Sequence, residues 1–204
     1  MKIKLLFLLF IFFTFSCKNN SEIKAESSNN TEIETLDSKN VDGFNFNKFK
    51  IDKGNIGPIK IGMKIFDAEK EITELTKKEC EAYDFGYDGG GKAYIYYLKD
   101  EPILALVPKM DSDEILVIIA LSKNLKTNNG LNPNSTVKEI QEKYPNIEIN
   151  QDLMMSWEFM HDENNNWNLV FMTEDNNRIG DYKELEVPTK PIRNEIAMNW
   201  ITIK

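Results

Sequence analysis

The chain has 204 residues, 41% of them hydrophobic and 28% charged, with a formal net charge of −8 at neutral pH. That acidity, with no cluster of Lys and Arg, excludes a nucleic-acid partner and leaves no basic patch for anionic lipid. One histidine and two cysteines cannot assemble the usual zinc ligand set.

From the N-terminus, Met1 to Lys4 is short and basic, Leu5 to Phe15 is almost unbroken apolar sequence, and Ser16 is small. This is the pattern of a secretory signal peptide over residues 1–16, too short for a spanning helix. With Cys17 directly behind the cut, the segment resembles a bacterial lipoprotein signal. The resemblance implies that Cys17 is acylated and becomes the mature N-terminus, with the membrane as a partner through that anchor. Lys18 stands where aspartate would retain a lipoprotein in the inner membrane, so the resemblance favours the outer membrane of the cell envelope. Lipidation of Cys17 leaves Cys80 without an internal disulfide partner, and burial as an apolar residue is its expected role. Residues 17–43 are rich in Ser, Asn, Glu and Lys and read as the lipidated cysteine followed by a disordered tether.

Aromatic density rises at Phe44, Phe46 and Phe49, where folded sequence is expected to begin. Two stretches then run parallel, one from Ile59 and one from Leu131, 72 positions apart. Each has a turn, a small or polar cap, and an amphipathic segment. Ile65, Ala68, Ile72 and Leu75 share a helical face in the first; Val137, Ile140 and Tyr144 do so in the second, which Pro145 ends. Thr136 and Glu139 have capping-box spacing.

After each helix the period becomes two. Tyr83, Phe85 and Tyr87 predict a strand, Asp88 to Gly91 a tight turn, and Lys92 to Leu98, Ile103 to Val107 and Ile115 to Leu121 further strands. In the second copy, Met155 to Met160, Trp167 to Met172 and Ile196 to Ile203 are predicted strands. The expected fold is α+β: two tandem helix-plus-antiparallel-meander repeats, residues 44–125 and 126–204. Their strands form one continuous antiparallel sheet with the helices on one face. The layout resembles the β-lactamase-inhibitor-protein-like fold and the small outer-membrane lipoproteins of the SmpA/OmlA family. Gly62-Met63-Lys64 carries the likeness at a Gly-Met-Thr-type turn, and Asn134-Ser135-Thr136 matches its third position. The resemblance implies a non-catalytic binding or assembly surface.

No catalytic signature is present. His161 reads as a turn residue in an Asp- and Asn-rich run, and Gly89-Gly90-Gly91 joins strands without opening a phosphate-binding helix. Asp111, Asp113 and Glu114 offer oxygen ligands, but the ordered calcium loop is missing, and no metal or cofactor is expected. The aromatics are more suggestive. Tyr94 and Tyr96 share one strand face, and Trp157 stands on a strand of the other copy; together they are the candidate binding residues. They suit a protein partner in the envelope, and a glycan or other small ligand is the alternative.

Overall fold

The computed structural model describes residues 40, 41, 43–87 and 91–204. Cys17, the signal peptide and most of the expected tether lie outside them, as do Asp88, Gly89 and Gly90 of the expected turn.

The N-terminal part is built of very short strands. β1 (Asn40–Val41) pairs with β2 (Phe44–Asn45), and β3 (Ile51–Asp52), β4 (Asn55–Ile56) and β5 (Ile59–Lys60) make a second small sheet. Gly57 turns β4 into β5 at φ +56°, and a Cβ there would meet the Lys48 carbonyl oxygen at 2.1 Å, so only glycine fits. Then come α1 (Ile65–Glu69), β6 (Thr76–Glu81), β7 (Lys92–Leu98), β8 (Glu101–Pro108) and β9 (Ile115–Ala120). The second half follows with α2 (Val137–Lys143), β10 (Ile149–Asp152), β11 (Trp157–Asp162), β12 (Trp167–Phe171) and β13 (Trp200–Ile203).

Eight strands form one antiparallel sheet in the order β10-β11-β12-β13-β9-β8-β7-β6. Each half is a four-strand meander, and the two meet where their last strands pair, Ile201 opposite Ala120 and Ile203 opposite Ile118. The turns ahead of the two helices are tied down alike. Gly62 N–H donates to the Ile115 carbonyl, Ile115 N–H to Met63, and Ile65 N–H to Asp113. Asn134, Met198 and Val137 donate in the same way to Met198, Ser135 and Ile196. Gly62 and Asn134 both have positive φ, +79° and +100°.

The expected α+β architecture is not what forms: the molecule is mostly β. The helices have 5 and 7 residues, about 7 and 10 Å long, too short to layer over eight strands. After Glu69 the chain leaves the α-helix for tighter i to i+3 turns, with Ile72 N–H donating to Glu69 and Leu75 N–H to Ile72. Ile72 is still buried, because apolar spacing of three and four satisfies either kind of turn. The layer against the sheet is made instead by the small N-terminal sheet and the turns around it. Phe44, Phe46, Phe49, Ile51, Ile56 and Ile59 all join the main core, with Phe44 stacked on Phe49 at 4.6 Å. The helices add only Ile65, Ala68, Val137 and Ile140. In α2 the capping box is formed: Thr136 Oγ1 accepts from Glu139 N–H, and Thr136 N–H donates to Glu139 Oε2 at 2.7 Å.

The other face of the sheet carries a second apolar cluster that includes Ala93, Ala105, Val107, Val117, Ile119 and Trp200. It is covered by the connection after β6. Tyr83, Phe85 and Tyr87 were expected in a strand, but Ala82–Phe85 is a 3-10 turn closed by Gly86 at φ +78°. Phe85 meets Trp200 edge to face at 5.8 Å, and Gly86 lies against Met155, Trp157 and Asp152. In a flat sheet β11 would stand six strand spacings from β6, about 29 Å. The five residues from Glu81 to Gly86 reach at most about 18 Å. The sheet therefore curls, with this second cluster on its inner face.

Candidate functional site

Strand parity decides what enters the curl. Along β11, Glu158, Met160 and Asp162 are buried on the core side, while Trp157, Phe159 and His161 turn to the inner face. Register then builds two adjacent rows across β11, β12 and β13. One is apolar, Phe159 opposite Val170 and Val170 opposite Trp200. The next is polar, His161 opposite Asn168 and Asn168 opposite Thr202. Trp157 closes the apolar end, its ring edge to face with Trp200 at 5.0 Å. A pocket of about 250 Å³ opens over these rows as far as Asn168 and Thr202, with His161 outside its lining; Phe85, Gly86 and Tyr87 roof it, and Asp152 and Lys204 are also on its wall.

The polar row is held by its own hydrogen bonds. His161 Nδ1 and Asn168 Oδ1 are 2.8 Å apart, which commits the amide oxygen. Trp200 Nε1–H donates to Thr202 Oγ1 at 3.1 Å, which leaves the hydroxyl proton free to donate elsewhere. Desolvation on the pocket wall holds the Lys204 ammonium below its usual pKa, and it forms no side-chain ion pair among the described residues. Asp152 Oδ1 accepts from Met154 and Met155 N–H, fixing the turn below Trp157.

The three residues picked out by sequence do not form one surface. Tyr96 is 2% exposed in the main core, its phenol donating to Glu69 Oε1 at 2.9 Å. It cannot be a contact residue. Tyr94, on the same side, packs against that core with the Lys77 ammonium 3.8 Å above its ring. Trp157 is on the opposite face of the sheet, in the pocket wall. Of the other two tryptophans, Trp167 is core and donates to the Asp52 carbonyl at 3.3 Å, whereas Trp200 joins Trp157.

The remaining chemical candidates have other partners. His161 belongs to β11, not to a turn, and is engaged with Asn168. Cys80 is a free, half-buried thiol on β6; burial, then Asp84, Glu81 and Glu79, push its pKa up to about 11, so it is protonated at neutral pH. Asp113 pairs with Lys64 at 3.4 Å and Glu114 with Lys109 at 2.7 Å, and no metal-binding cluster of acids, His or Cys occurs among the described residues. A larger groove of about 770 Å³ beside Tyr94 and Lys109 has its cations already paired, Lys109 as above and Lys92 with Glu79 at 2.8 Å.

Glu158 is the polar residue that sequence reasoning missed. It is fully buried, and its carboxylate accepts four hydrogen bonds: from Thr173 Oγ1, Ile179 N–H, Gly180 N–H and Tyr182 Oη, at 2.7 to 2.8 Å. Its oxygens are used up in holding the 173–182 segment, so its role is structural. The period of two places Glu158 on the less apolar parity of this strand, so its burial was not signalled in the sequence. The chain matches no protein-family model, and no curated protein or solved structure matches it significantly.

Proposed function

We propose that this protein is a non-catalytic binding module, lipid-anchored in the cell envelope through Cys17, that takes a small ligand into the pocket on the inner face of its curled sheet. The observation that carries the reading is the pairing of an aromatic row with a polar row in one pocket. Such a pairing is what a small-molecule site requires: apolar walls for affinity and a few placed polar groups for orientation. A protein-docking platform built on Tyr94, Tyr96 and Trp157 loses its support, since those residues stand on two faces and Tyr96 is buried. Binding is favoured over catalysis because the pocket lining contains neither the imidazole of His161 nor the thiol of Cys80, and that thiol is held protonated.

The binding claim is tested by thermal unfolding in the presence of a small-molecule extract of the native envelope. A ligand at a hundred times its dissociation constant stabilises the fold by about 2.7 kcal/mol. Wild type and Tyr94→Ala are expected to gain stability, and Trp157→Ala to gain little. Loss of the gain in Tyr94→Ala with its retention in Trp157→Ala would place the site on the other face. The anchor is tested separately by fractionation. Cys17→Ala is expected to leave the membrane fraction, and a wild-type protein recovered soluble would contradict lipidation.

A further inference from the structure

The pocket proposed above as the binding site is unevenly supplied with hydrogen-bonding groups. Where the polar row lines the pocket, at Asn168 and Thr202, each side chain spends an acceptor on an internal bond and keeps a donor, while the imidazole of His161, which keeps Nε2 as an acceptor, lies outside the lining. Asn168 Oδ1 is taken by His161, so its amide N–H groups remain available. Thr202 Oγ1 accepts from Trp200 Nε1, so its hydroxyl proton remains available. Lys204, two positions along β13's line from Thr202 and so on the same face, contributes an ammonium that forms no side-chain ion pair among the described residues. Three donors, one of them charged, therefore meet at one end of the cavity. The opposing acid, Asp152, sits at the Trp157 end, cross-strand from that residue, and one of its oxygens is committed to the turn.

Size narrows the ligand further. About 250 Å³ is below the roughly 300–1,000 Å³ typical of sites for drug-sized ligands. One ring fits; an extended chain of rings does not. The wall beside the donors is the flat apolar row of Phe159, Val170 and Trp200, closed by Trp157.

Resting on that site, we propose that the ligand is a single-ring molecule bearing a carboxylate. Its anionic group is held by Lys204, Asn168 and Thr202, and its ring lies against the tryptophan wall. The ring can be aromatic or a sugar acid, since both present a flat apolar face and the same anion.

Calorimetric titration of the full chain with two matched pairs separates the cases: benzoate against benzamide, and glucuronate against glucose. At least one carboxylate is expected to bind at least about tenfold more tightly than its neutral partner, the scale of one charge-assisted contact. The pair that shows the difference identifies the ring. Lys204→Gln is expected to remove that preference while leaving the fold intact, because the side chain is exposed and forms no ion pair within the described structure. Neutral and anionic probes binding equally, with both weakened by Trp157→Ala, would overturn the carboxylate and leave the pocket standing. Binding of no probe, or binding indifferent to Trp157→Ala, would overturn both.

Discussion

Trp157, Phe159 and His161 alternate along β11 with Glu158, Met160 and Asp162, and it is the aromatic side that faces away from the main core. A reading that assigns the more apolar parity to the interior turns this strand over. Tyr94 and Tyr96 sharing a face was legible from the period of two, but which face was not. Tyr96 is settled by its bond to Glu69, a partner 27 residues away. Burial of Cys80 was expected and is only partial. Its environment carries a clear pH signature nonetheless. Alkylation of the thiol is expected to be slow at neutral pH in the native protein and to rise with an apparent pKa of about 11, while the denatured chain reacts as an ordinary thiol near 9. Native reactivity that titrates at or below 9 would show that the desolvation and the three nearby carboxylates do not act on it.

At the scale of elements, the segment from Thr173 to Tyr182 has no regular structure and depends on one side chain of β11. Glu158 accepts two backbone and two hydroxyl donors there, and Gly180 is packed so that a Cβ would come within 2.5 Å of the Tyr182 ring. Replacing Glu158 by Leu leaves four donors without their acceptor, at about 1–3 kcal/mol for each one that stays buried. Glu158→Leu is expected to cost more than about 3 kcal/mol in denaturant unfolding, and Gly180→Ala to be destabilising through the same contact. A Glu158→Leu protein as stable as wild type would mean the segment is held by something else. The helices illustrate the opposite kind of legibility. The capping box at Thr136 and Glu139 was readable because its spacing is local. The early end of α1 was not, because alternating apolar spacing is equally well met by i to i+3 turns that lead directly into β6.

Across the whole molecule, the site exists because the sheet curls. Each meander is written in local strand and turn signals. The closure that brings the connection after β6 over β11 depends on contacts more than seventy residues apart, such as Phe85 with Trp200. No periodicity encodes that approach, so neither the pocket nor its two rows could be assembled from sequence. The two halves do share the tie between helix-cap turn and last strand. The pairing of β9 with β13 joins the halves at the centre of the sheet, and β13 brings Thr202 into the polar row with Lys204 beyond it on the pocket wall.

The three tryptophans report on the two faces separately, since Trp157 and Trp200 border the pocket while Trp167 is in the main core with its indole N–H bonded to Asp52. The most direct measurement is therefore the indole N–H resonances of the full chain during titration with the small-molecule fraction of the envelope. The Trp157 and Trp200 signals are expected to move together and saturably while the Trp167 signal stays fixed. Movement of Trp167 alone, or saturable binding that leaves Trp157 and Trp200 unchanged, would contradict a binding site inside the curl.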